Sequence, residues 1–212
     1  MARNIPNWKC IILKTFMFLG KNYEYSSHEY NETWKNERTI EVPIIWEYVK
    51  EYKTKGKSIL EVGNVLSHYF AVDHDILDKD EKFTGVINQD VVDYKPDKKY
   101  DLIVSISTME HIGHFENPGS WVQPQKILVA LQNLKNLLTP DGQIIITFGI
   151  GYNYLLDAHI KLGNIKFDKM ACMRRISKDN EWEETEFDKI KNDVYGQPFN
   201  GSNNVVVGFL SV

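Results

Sequence analysis

The sequence predicts an α/β fold: a mostly parallel sheet, closed by an antiparallel C-terminal strand pair and preceded by an N-terminal helical cap. Three observations carry this expectation. Residues 57–212 alternate short β-prone runs with helical ones, whereas residues 1–56 are aromatic and helix-like. The run DLIVSIS at 101–107 is almost uniformly apolar after its aspartate, as expected of a strand covered on both faces. Between it and IIITF at 144–148, Ile127, Leu131, Leu134 and Leu138 share one face of an amphipathic helix. Strand, helix, turn and strand in that order form a parallel crossover.

The elements follow in chain order. The apolar stretch CIILKTFMFLG at 10–20 carries Lys14 and is far shorter than the ~20 residues that cross a bilayer. Arg3 and Lys9 precede it, but no small-residue cleavage pattern follows, so it reads as a packed N-terminal helix. Val42, Ile45, Trp46, Val49 and Tyr52 recur at helical spacing, with Pro43 placed for a first turn. Strands are expected at 58–63, 71–78, 85–88, 100–107, 143–149, 170–177 and 204–212. The helix before 143–149 ends at Thr139-Pro140-Asp141-Gly142, where proline presets φ and glycine accepts a positive φ. The last two strands follow each other without a long apolar helix, which makes them an antiparallel pair. The expected division is a cap of residues 1–56 and a domain of residues 57–212.

Composition excludes several classes. The chain has 212 residues, 42% apolar and 25% charged, which is ordinary globular composition. At this length roughly 70% of the unfolded surface can be buried, so no disulfide staple is needed. A net charge of −4 argues against a general nucleic-acid binder. Cys10 and Cys172 form no CxxC or finger spacing and read as free thiols of a cytoplasmic protein. No metal site is expected: His111 and His114, spaced HxxH beside Glu110, lack a third ligand at suitable spacing.

An open α/β sheet binds ligands at the carboxyl ends of its strands, near the point where strand order reverses. The strand at 58–63 ends in EVGNVLSHY, where an acidic residue two before a glycine lets the backbone turn tightly beside a ligand. Asp78 stands seventeen positions after Glu61, at the end of the next strand, and Asp90 follows the third in VINQDVVDY. Then come YDLIVSISTMEHIGH and, after the helix, LLTPDGQIIITF.

In order and spacing these segments resemble the class I S-adenosylmethionine-dependent methyltransferases over about residues 57–150. The resemblance implies a Rossmann-like, seven-stranded sheet whose seventh strand inserts antiparallel beside the fifth. It implies S-adenosyl-L-methionine as cofactor, and methyl transfer to a small-molecule or sugar acceptor. By position, Glu61 and Gly63 would lie under the methionine and ribose parts, with Asn64 and Ser67 in the same turn. Asp78 would bind the ribose hydroxyls, Asp90 the adenine amino group with Val91 offering its N–H, and Ser107 would lie beside the methionine portion. The turn departs from the family's glycine-rich pattern at Val65 and Ser67, where larger residues push backbone and ligand apart. His111 is the candidate general base, since imidazole titrates near neutral pH. Tyr23, Tyr25, Tyr30, Trp34 and Tyr152 could line an acceptor pocket, and His68 could face the cofactor. Two alternatives remain at this point: a non-catalytic binding protein of the same fold, motivated by Val65, and a nicotinamide-dependent oxidoreductase, for which GxGxxG is missing.

Overall fold

The computed structural model describes residues 14–114 and 122–212. Arg3, Lys9, Cys10 and Phe115 lie outside the described residues. Among the described residues ten strands and four α-helices run in the order β1 (Thr15–Phe18), β2 (Lys21–Glu24), α1 (Arg38–Thr54), β3 (Ile59–Val62), β4 (Asp75–Leu77), β5 (Val86–Ile87) and β6 (Tyr100–Ile106). They continue with α2 (Lys126–Asn136), β7 (Leu138–Phe148), α3 (Tyr154–Lys161), β8 (Lys169–Arg175), β9 (Trp182–Thr185), α4 (Phe187–Ile190) and β10 (Asn204–Leu210). The main sheet has the order β5-β4-β3-β6-β7-β10-β8-β9. From β5 to β7 its pairs are parallel, and β10 runs antiparallel to both β7 and β8. The stretch from β5 to β8 is the Rossmann-like, seven-stranded arrangement expected, with the last strand inserted beside the fifth. β9 adds an eighth strand at the edge, antiparallel to β8.

Strand residues alternate between two apolar layers, as a sheet covered on both faces requires. Ile103, Ile144, Ile146, Phe148 and Val206 pack with Ile127, Leu131 and Leu134 of α2 and with Leu156 of α3. Leu102, Val104, Ile106, Ile145, Val205 and Val207 pack with Ile40, Ile44, Ile45 and Val49 of α1. The helix α1 therefore covers the middle of one face of the sheet, and Phe16 and Phe18 of the β1–β2 hairpin join the same layer. Its proline sits inside the helix, not in its first turn, because the helix begins at Arg38. Pro43 has no N–H for the Thr39 carbonyl. The N–H of Ser26 takes that carbonyl at 2.8 Å, and the Thr39 hydroxyl donates back to the Ser26 carbonyl at 2.8 Å.

Two expectations need correction. Residues 15–24 form a β-hairpin where a helix was expected, with Phe16 and Phe18 buried against the α1 layer and Met17 and Leu19 exposed. Alternating burial of this kind fits a two-residue period, which the short apolar run concealed. At the other boundary, Leu138 already belongs to β7, and the 139–142 segment carries an irregularity in the β6–β7 register. Gly142 is required by proximity: a Cβ there would stand 2.8 Å from the Tyr100 carbonyl oxygen. Among the described residues no helix is long and apolar enough to cross a membrane.

Because Ile45 of α1 is completely buried in the layer it shares with β6 and β10, Ile45→Ala should cost about 2–5 kcal/mol. Urea denaturation followed by circular dichroism checks this. A loss below about 0.5 kcal/mol would mean that α1 is not part of the sheet's core.

Candidate active site

A cavity of about 440 Å³ opens at the carboxyl ends of β3, β4 and β5, within the usual size range of small-molecule sites. The chain leaves β3 toward β4 on one side and returns to β6 on the other, so the cavity lies where strand order reverses. The turn after β3 is built around Glu61, which is fully buried. Its Oε1 accepts the N–H groups of Val65 and Leu66 at 2.8 and 2.7 Å, and its Oε2 meets His74 Nε2 at 2.9 Å. Gly63 adopts φ +88°, and a Cβ there would fall 2.1 Å from the Thr108 hydroxyl oxygen. Thr108 thus occupies the space that a side chain at position 63 would need.

Asp78 lines the cavity and organises the next loop. Its carboxylate accepts the Asn64 N–H at 3.0 Å, the Asp80 N–H at 2.9 Å and the Glu81 N–H at 2.7 Å. A carboxylate has about four lone-pair sites, so part of its accepting capacity remains. Asp90 also lines the cavity, paired with Lys126 at 2.7 Å and accepting the Val92 N–H at 3.2 Å. Beside it, the Val91 N–H has no partner among the described residues.

Of the eight positions expected around a cofactor, Gly63, Asp78, Asp90 and Val91 line this cavity. The other four do not. Glu61 lies beneath the turn and holds it. Asn64 and Ser67 bond to each other at 2.5 Å, and Asn64 reaches Glu81 at 2.9 Å. Ser107 lines a second, neighbouring cavity because its hydroxyl is drawn to Glu41 at 2.7 Å. Val65 packs into the α1 layer, away from the first cavity, so its bulk does not narrow it. The segment after the turn is a single 3-10 turn, Leu66–His68. Its His68 stacks on Tyr30 with ring centroids 3.9 Å apart and holds Nε2 2.9 Å from Glu81 Oε1, without the alignment of a hydrogen bond.

The second cavity, about 230 Å³, is lined by Asn31, Glu37 and Arg38 from the cap, Ser107 and Glu110 after β6, and Tyr152 and Tyr195 from the C-terminal half. His111 lines both cavities and forms the wall between them. It is exposed on one side, yet burial of the rest, with Arg38 and His114 nearby, lowers its pKa below the ordinary value. The Tyr152 hydroxyl lies 3.3 Å from its Nδ1. Arg38 pairs with the fully buried Glu41 at 3.1 Å. Burial works against the Arg38 charge, but Glu41 and Glu37 more than offset it and hold its pKa above the ordinary value.

The expected aromatic acceptor wall is corrected in part. Tyr23 and Tyr25 pack on Phe16 of the hairpin, Tyr30 covers His68, and Trp34 lines a separate surface hollow with Arg175 and Lys178. Of that set, Tyr152 alone borders the second cavity. Sequence reasoning missed Thr108, Lys126, Glu37 and Arg38. Thr108 was adjacent to a residue singled out, whereas α1 gave no sign in sequence that its first turn faces a site.

No family model matches the chain, and no curated protein matches it. Among solved structures it is similar to the N-methyltransferase NodS from Bradyrhizobium japonicum WM9 in complex with S-adenosyl-L-homocysteine. That similarity covers 82% of this chain and 89% of NodS, at 10% identity and a TM-score of 0.43. It is also similar to the sugar N-methyltransferase KedS8 from Streptoalloteichus sp ATCC 53650, over 74% of this chain and 65% of that one, at 13% identity and a TM-score of 0.39. An S-adenosylmethionine-dependent methyltransferase from Clostridium acetobutylicum ATCC 824 is similar over 78% of this chain and 89% of its own, at 12% identity and a TM-score of 0.38. At such identities and scores, the chemistry of the site rests on its own residues. The sheet order itself is the Rossmann-like one expected from the sequence.

Removing the Glu61 carboxylate leaves two buried N–H groups and His74 without their acceptor. Glu61→Ala should therefore destabilise the protein by about 3–5 kcal/mol in urea denaturation. A loss under about 1 kcal/mol would show that the turn does not depend on this residue.

Proposed function

We propose that the protein transfers a methyl group from S-adenosyl-L-methionine to a small-molecule or sugar acceptor in the cytoplasm. The observation that carries this reading is the pair of cavities meeting at His111, the larger one lined by Gly63, Asp78, Asp90 and Val91 at the strand-order reversal. In this reading Asp78 accepts the ribose hydroxyls, and Asp90 with the Val91 N–H reads the adenine edge. Gly63 and Thr108 border the methionine part. When bound, the cofactor supplies an electrophilic methyl on a sulfonium and leaves as a neutral thioether. The protein's task is alignment: one cavity for the donor, one for the acceptor, and a wall that brings them together. His111, neutral near pH 7 because its pKa is lowered, acts as the base for an acceptor that must lose a proton.

The geometry weighs against both alternatives. Val65, which motivated a non-catalytic protein, packs away from the cavity. A nicotinamide dinucleotide needs a helix N-terminus for its pyrophosphate, and the segment between β3 and β4 offers a single 3-10 turn. A cofactor without phosphates makes no such demand. Cys172 is a buried free thiol whose pKa burial pushes up to about 11, which keeps it unreactive.

Isothermal titration should show S-adenosyl-L-homocysteine binding in the micromolar range and NAD not binding. Asp78→Ala should weaken that binding by about 1.5–3 kcal/mol, while Ser67→Ala, outside the cavity, should change it less than about threefold. No binding of the homocysteine compound at millimolar concentration would end the methyltransferase reading.

The sign of the pH dependence follows from His111. Its base form is lost as pH falls through a pKa held below the ordinary value, so turnover should stay level near neutrality and decline only at a pH below the ordinary imidazole range. In His111→Ala that decline should disappear along with most of the turnover. An unchanged rate in this variant would leave alignment as the whole mechanism.

A further inference from the structure

The charges around the second cavity do not balance. Glu37, Arg38 and Glu41 approach it from α1 and the residue before it, Glu110 and His111 from the turn after β6, and Tyr152 and Tyr195 from the C-terminal half. Arg38 and Glu41 satisfy each other, and the second oxygen of Glu41 takes the Ser107 hydroxyl. Arg175 acts on Glu37 from outside the cavity, with its guanidinium directed at the carbonyls of Ser177, Lys178 and Asn200. Among the described residues neither Glu37 nor Glu110 forms an ion pair. Glu110 is 94% buried, being 6% exposed, and its Oε2 has no hydrogen-bond partner. A buried carboxyl oxygen left without a donor is costly, and a cationic donor entering the cavity would remove that cost. The rings of Tyr152 and Tyr195, edge to face with centroids 5.1 Å apart, border the same space and favour an alkylammonium.

We propose that the second cavity selects a primary or secondary amine, bound as its ammonium ion, as the methyl acceptor, with Glu110 and Glu37 holding the charge. The inference rests on the methyl-transfer reading and names the acceptor class for it. In the tautomer that carries its proton on Nδ1, toward the Tyr152 hydroxyl at 3.3 Å, Nε2 of His111 is the basic nitrogen. One ammonium proton passes to Nε2, and the freed lone pair forms the N–C bond as the S–C bond breaks. Ammonium and sulfonium, two positive charges, become one methylammonium and one proton, which leaves through the exposed side of His111.

The arrangement has a pH signature. Burial first, and Glu41 second, push the Glu110 carboxyl up to about 8, and burial with Glu41 also raises Glu37. An arriving ammonium must expel the Glu110 proton at neutral pH. Affinity therefore rises as pH climbs through about 8, and falls again where the amine itself deprotonates, near ~10. Arg38 stays charged throughout this window, Arg175 stays charged although burial lowers its pKa, His111 stays neutral, and the raised pKa values of Tyr152 and Tyr195 keep both phenols protonated.

The test compares propylammonium with 1-propanol, a matched pair differing in charge. Each is titrated into the full chain, with and without S-adenosyl-L-homocysteine, while the His111 and Tyr152 ring signals are followed by NMR. Propylammonium should bind at least tenfold tighter than the alcohol, with a preference that grows from pH 6.5 to pH 8.5. Glu110→Gln should abolish both the preference and its pH dependence while retaining the wild-type affinity for S-adenosyl-L-homocysteine, which reports that the variant is folded. Glu37→Gln, the second variant, should reduce the preference without removing its pH dependence. Equal binding of amine and alcohol, or a preference that survives in Glu110→Gln, overturns the proposal. Amine selectivity without any affinity for the homocysteine compound would preserve the cation site and remove the methyl-transfer reading.

Discussion

The buried Glu61 carboxylate is the constraint on which the site is built. It projects from β3 at the strand-order reversal and binds the backbone four and five residues later, at Val65 and Leu66. With those N–H groups fixed, Gly63 is forced against Thr108, and Thr108 marks the end of β6. The two parallel strands that flank the reversal are thereby locked at their carboxyl ends. Asn64, held in the same turn, passes its N–H to Asp78 and so carries the constraint to β4. One charged group, satisfied by backbone donors and a histidine, thus sets the relative heights of three strand ends. Charge-assisted bonds of this kind are stronger than neutral ones, which suits a position with no side-chain volume to spare.

The cap has two roles that meet on one helix. Its apolar positions close a face of the sheet, while its first turn brings Arg38 and Glu41 to Ser107 at the end of β6. Ser107 adopts φ +37°, a strained conformation for a residue with a side chain, and is kept there by Thr147 and Glu41. The acceptor side of the site is therefore assembled from parts distant in sequence, and the donor side mostly from consecutive strand ends.

This difference explains what could be read from the sequence. The strands β3 to β7 and the insertion of β10 were legible because burial on both faces leaves continuous apolar runs, and because parallel crossovers constrain the order. Asp78 stands directly after β4, and Asp90 and Val91 lie in the loop after β5, so their neighbourhood could be read from the order of the strands. Glu61 and Ser107 could be singled out in the sequence by their places at strand ends, but which way a side chain turns there depends on partners far along the chain. For Ser107 that partner is Glu41, sixty-six positions earlier. The hairpin at 15–24 was hidden by a run too short to separate a period of two from one of 3.6. Glu110 could be noticed beside the histidines, but that its Oε2 is buried without a hydrogen-bond partner is a property of packing alone.

The place of β10 in the sheet also has a consequence in time. The last strand of the chain lies between β7 and β8 and makes the sheet continuous. Until residues 204–210 have been synthesised, β7 and β8 each present an open, apolar edge with unpaired backbone groups, a template for pairing with other chains. Its contact with β7 spans more than fifty residues, a long loop to close and a slow one. At ~5–20 residues per second, the ribosome holds the chain in that half-sealed state for several seconds after β7 has emerged. Sealing by the final strand makes the molecule's aggregation risk a matter of translation order, independent of how stable the finished sheet is.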